Sequence, residues 1–154
     1  RSPKKEDVWN AVSETLCARI VANAKIDVSD GQAPIVRLRQ LVASHIHLVT
    51  EFPALPEIMV ARDPTGTLTD ARHRIQRAMA DFRVAIGWAL EQASAANHLR
   101  EGLSVEDGVS LLFGVIQSLV LRLIVSRNPT NLAQDSERLL DLQILLFMNK
   151  GVGV

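Results

Sequence analysis

Apolar residues recur along this chain at three- and four-residue intervals instead of alternating, a spacing that predicts helices throughout and no β-strand. The pattern is densest from Ser104 to Arg127. There Val105, Val109, Leu112, Phe113, Val115, Ile116, Leu119, Val120, Leu123 and Ile124 fill roughly half the circumference of a helix. The other half is not polar either. Leu111, Leu121 and Val125 stand among the small residues Ser110, Gly114 and Ser118, a surface that a second helix can approach closely. Such a helix is expected to meet its own core on one side and a further buried contact on the other. It would span roughly 36 Å, enough to cross a small domain, and its charged ends argue against a membrane span.

The other elements follow from the same spacing. Ser2 or Pro3 opens a first helix, with Glu6 and Asp7 in its first turn and Val8, Val12, Leu16 and Ile20 along one face, bordered by Trp9. Asp27 to Gln32 is turn chemistry. Pro34 starts a second helix to about Phe52, with Ile35, Leu38, Leu41, Val42, His45, Leu48, Val49 and Phe52 inward and Arg37, Arg39, Gln40, Ser44 and His47 turned away. Pro53 and Pro56 then leave room for a short helix through Leu55, Ile58, Met59 and Val60. Thr67 with Asp70 resembles a capping box for a long helix to about Asn97, whose stripe is Leu68, Ile75, Met79, Phe82, Ile86 and Leu90, with Val84 and Trp88 opposite. Gly102 is expected to stop that helix, and Ser104 with Asp107 to cap the next one, so the two lie antiparallel. After a loop from Asn128 to Asn131, the last helix carries Leu132, Leu139, Leu140, Leu142, Ile144, Leu145, Leu146, Phe147 and Met148 and is apolar nearly all round; the terminal GVGV should fray.

The expected fold is thus all-α with about six helices in one domain, residues 1–154. Two final helices with apolar outer faces would pair with a second copy as a four-helix bundle about a two-fold axis. The interface expected of this homodimer is Leu111, Gly114, Ser118, Leu121 and Val125 from one helix and Ile144, Leu145 and Met148 from the other.

Composition narrows the function classes. At 154 residues, 47% apolar, the chain can bury a core without disulfides or metal. Its 17 basic residues balance 17 acidic ones, leaving no excess charge to hold a polyanion. A single cysteine, Cys17, excludes an intramolecular disulfide and fits a reducing, cytoplasmic setting; no signal peptide is legible. Phosphate loop, dinucleotide fingerprint, nucleophile elbow and zincin motif are all missing, so no catalytic residue and no cofactor is expected.

The remaining candidates are binding residues. His45 and His47 lie about 200° apart on a helix and cannot share a metal ion, so no metal site is expected; His47 with Glu51 reads as a surface pair. His45 falls inside an apolar stripe, where its ring must find a partner. It is either a core histidine bonded to a neighbour or a group that points into a cavity and reads a ligand. Gln117 is open to the same two readings. With them, Met59, Met79, Phe82 and Phe113 could line an apolar pocket or be ordinary core. Cys17, off its stripe and with no evident base, is not expected to be reactive, and Trp9 and Trp88 read as packing residues.

The order KEDVWNAV, PIVRLRQLV, EFPALPEIM and HLREGLSVEDGVSLLFGVIQSLVLR resembles the C-terminal half of tetracycline-repressor (TetR) family transcriptional regulators. That resemblance covers nearly the whole chain and rests on helix order more than on any one motif. It implies an effector-binding and dimerisation domain, with the helix-turn-helix that normally precedes it absent from this sequence. It further implies a small, largely apolar effector enclosed by the helices, pairing of the last two helices, and DNA contact only through the missing domain, most simply as a repressor. The alternatives are a stand-alone helical small-molecule-binding protein and a structural dimerisation module.

Overall fold

The computed structural model describes residues 4–25, 32–126 and 130–150. Its six helices are α1 (Lys5–Ala24), α2 (Pro34–Glu51), α3 (Ala54–Val60), α4 (Thr69–Ala95), α5 (Val105–Ser126) and α6 (Thr130–Phe147). The expected all-helical architecture is what these residues form. An isolated antiparallel bridge between Leu99 and Met148 is the only β-type pairing among them. α1 begins at Lys5 behind an extended Lys4, later than the expected opening at Ser2 or Pro3, and Thr130 and Asn131, expected in a loop, already belong to α6; most of the turn from Asp27 and the GVGV end lie outside the described residues.

The long helix α4 is the axis of the fold. Its buried face alternates Ala71, Ala78, Ala89 and Ala93 with Ile75, Phe82, Ile86 and Leu90, so that small residues let neighbouring backbones come close while large ones fill the gaps. α1 packs most extensively against it, and α2 and α5 also lie along it. At the surface Arg74 ties α4 to α1, donating to the carbonyl of Asn10 at 3.3 Å and to Glu14 at 3.2 Å. α6 closes the far side, packed on α2 and α5 and joined to them by Arg39–Asp141 at 3.1 Å and Arg122–Asp135 at 2.7 Å. The link from α4 to α5 is pinned to the end of α6, with Arg100 donating to Phe147 and Asn149 to His98, each at 2.7 Å.

Local chemistry at the helix ends departs from the sequence reading in two places. No capping box forms at Thr67: α4 starts at Thr69, and Asp63 accepts the Leu68 amide at 2.9 Å. Nor does Gly102 stop α4. Asn97 does so in the left-handed region (φ 59°), and the amide of His98 reaches back to Ala93. Gly102 (φ 86°) instead turns the loop before α5. The cap at Ser104 is as expected, its hydroxyl accepting the Asp107 amide at 3.1 Å.

Burial corrects several stripes. Val8 is exposed, because the first turn of α1 overhangs the core. Ile46 joins the inward face of α2, and Arg37, read as turned away, is buried. Its aliphatic stem follows Leu38 inward while Nη2 donates at 3.4 Å to the carbonyl of Ala24, the last residue of α1. Val84 and Trp88, expected to make a second contact, face outward. α5 is long and apolar enough to cross a membrane by length and composition alone, yet Val109, Leu112, Phe113, Ile116, Leu119 and Leu123 are buried in the core.

Candidate functional site

A cleft of about 710 Å³ opens between α2, α3, α4 and α5, within the range typical of small-molecule sites. Its floor comes from α2 (His45, Val49). One flank of α4 supplies Gln76, Met79, Ala80 and Arg83, and one flank of α5 supplies Phe113, Ile116, Gln117, Val120 and Ile124. The short helix α3 covers one end with Leu55, Pro56, Met59 and Val60. Pro53 stands at the N-cap of α3 and Pro56 in its first turn, where a missing amide hydrogen costs no intrahelical bond, and Arg72 of α4 holds its C-terminal end. The guanidinium donates to the carbonyl of Ile58 at 2.8 Å and also to that of Ala61.

Five of the six expected pocket residues, His45, Met59, Met79, Phe113 and Gln117, line this one cleft. Phe82 does not. One position from Arg83 is about 100° around a helix, which aims Phe82 into the core behind the wall. There it is fully buried, stacked on His45 at 4.6 Å between ring centroids and edge-on to Phe113 at 5.7 Å. The sequence reading missed Gln76 and Arg83. Their signal was present, since 76, 79, 80 and 83 share one helical face beside the core stripe.

His45 is the polar centre of the cleft. It is 3% exposed, its Nδ1 has no hydrogen-bond partner among the described residues, and burial pushes its pKa down to about 4, so the ring is neutral at pH 7. A buried nitrogen without a partner costs about 1–3 kcal/mol, a cost that a ligand or water hydrogen bond relieves. Among the described residues no carboxylate, hydroxyl or thiol lines the cleft, and no group of three His, Cys, Asp or Glu side chains could hold a metal ion. The chemistry on offer is burial of an apolar molecule plus hydrogen bonds from an imidazole, two amides and the Arg83 guanidinium.

Elsewhere, His47 and Glu51 pair on the surface at 3.5 Å. Cys17 is half-buried, its thiol pKa raised by burial against the weaker opposing pull of Arg74 and Arg77, electropositive neighbours that sequence did not reveal.

The neutral ring makes stability depend on pH. Since the pKa falls from 6.5 to about 4 on folding, the unfolded chain binds the extra proton between these values. His45's contribution is complete above pH 6.5 and is lost as pH falls towards 4. Relative to His45→Leu, the wild-type chain should therefore lose about 2 kcal/mol between pH 7 and pH 5, read from urea midpoints followed by circular dichroism. Parallel pH profiles for the two proteins would show that the ring is solvated.

The residues expected at a dimer interface divide. Leu111, Gly114, Ser118, Leu121 and Val125 of α5 and Leu145 of α6 are exposed. Ile144 and Met148 are not: Ile144 is fully buried and Met148 nearly so. The inward face of α6 runs through Leu132, Ser136, Leu140, Ile144 and Phe147 at helical spacing, which leaves Leu142, Leu145 and Leu146 outside. Between α5 and α6 lies an open apolar groove bordered by Leu111, Gly114, Ser118, Leu142 and Leu146. A Cβ added at Gly114 would meet nothing within 4 Å, so packing within the subunit does not require glycine there.

Comparison of the chain with protein-family models, curated proteins and solved structures finds no significant match.

Proposed function

We propose that this chain is the ligand-sensing and dimerisation domain of a TetR-type transcriptional regulator, without catalytic activity of its own and working in the cytoplasm. The observation that carries the reading is the apolar cleft built around a buried, neutral His45 whose Nδ1 has no hydrogen-bond partner among the described residues. The uncovered apolar face of α5 and α6 adds to it. Leu111, Leu121, Val125, Leu142, Leu145 and Leu146 form a surface that a second copy would cover by two-fold pairing. The cleft alone would suit a stand-alone binding protein equally well; that face favours the dimeric regulator.

In this reading a small, largely apolar effector enters between α3, α4 and α5. Because α1 packs along α4, a shift of α4 by the ligand is carried to α1, and through it to a helix-turn-helix domain outside these residues. The ligand acts by binding one arrangement better than the other, so repression ends in proportion to that difference in affinity.

Light scattering on the purified chain should give twice its 16.9 kDa mass at micromolar concentration. A panel of apolar small molecules should contain some that raise its melting temperature. A strictly monomeric chain that no apolar molecule stabilises would end this reading.

A further inference from the structure

The charge on the cleft is one-sided. Among the described residues Arg83 is its single charged lining residue, and no aspartate or glutamate lines it. The Arg83 guanidinium lies over the Phe113 ring, 5.0 Å from its centroid, and no carboxylate among the described residues lies within ion-pair distance. Nearby arginines are engaged differently: Arg72 on the α3 carbonyls and Arg74 on Glu14. Arg83 is thus placed by an aromatic face at the edge of an apolar cleft, with its planar fork of donors uncommitted to any acid among the described residues.

Building on the ligand-binding reading above, we propose that the cleft takes an amphipathic carboxylate, its head on Arg83 and its apolar body between α3, α4 and α5. A guanidinium binds a carboxylate through two parallel hydrogen bonds, which suits an organic acid better than an alcohol. An ammonium ligand finds no anion on the lining, and the Phe113 face that could attract it carries Arg83. The interior makes no competing charged contact. His45 is neutral, and Met59, Met79, Val120 and Ile124 offer only apolar surface.

Three probes share one chain and differ in the head group: decanoate, decanol and decyltrimethylammonium. Titration calorimetry below the micellar concentrations of the two ions and the solubility limit of decanol should show decanoate binding about tenfold more tightly than decanol, and decyltrimethylammonium more weakly than either. Arg83→Met, which keeps an apolar stem over Phe113, should bring decanoate down to decanol while leaving decanol unchanged; Arg83→Lys should recover part of the preference. Equal affinities for all three, or a preference that survives Arg83→Met, would overturn the carboxylate assignment and leave the ligand cleft standing. Failure of all three to bind would overturn the assignment and count against the ligand-binding reading itself.

Discussion

Phe82→Ala should lower the unfolding free energy by about 3–5 kcal/mol, the range for removing a fully buried aromatic ring. In a chain of this length that corresponds to a fall in melting temperature of about 10 °C, measured by circular dichroism. The ring is enclosed on every side and joins His45 to Phe113, so its loss leaves a void and removes two aromatic contacts. It would also let His45 tilt and deepen the cleft from behind. Ligands that bind the parent chain should then bind the variant with altered preference, while Phe82→Leu, which refills much of the space, should cost less than half as much. A loss below about 1 kcal/mol for Phe82→Ala would mean that this part of the core is loosely packed.

The second large effect separates two neighbouring residues of α6. Ile144→Asp places a carboxylate where the side chain is fully enclosed, and the subunit should lose more than about 4 kcal/mol or fail to fold. Leu145→Asp, one residue on, changes a side chain that is 52% exposed. It should leave helix content and monomer stability within about 0.5 kcal/mol of the parent, and abolish the dimer proposed for the α5 and α6 face. Light scattering combined with denaturant melts distinguishes the two outcomes. If Leu145→Asp stayed dimeric, the pairing surface would have to lie elsewhere on the subunit.

These neighbours also mark how far the chain could be read unaided. The apolar period gave away the helices, and with them the all-α class, because a helix must hide a stripe whatever it packs against. The cap at Ser104 and the end of α2 just before Pro53 were equally local, each determined by one residue and its own backbone. Two of the five cleft residues were legible for a related reason: His45 within an apolar stripe and Gln117 beside one are polar groups that sit either at a partner or at a cavity.

Which side of an apolar helix is inside was not local. α6 is amphipathic in its first half, with Asp135, Glu137 and Arg138, but from Leu139 on its leucines stand on both sides, broken by Asp141 and Gln143, so that stretch alone does not say that Ile144 and the following Met148 turn inward while Leu142, Leu145 and Leu146 face out. That choice belongs to the helices packed against it. The same holds for Arg37, drawn inward by the end of α1, and for Phe82, which backs the cleft instead of lining it. It holds for Arg83 too, an ordinary surface arginine until α5 brings Phe113 beneath it. Periodicity along one helix reports how much apolar surface must be buried. Direction, depth and the enclosure of empty space arise only when several helices meet, because a cavity is a property of the walls together and of no single wall.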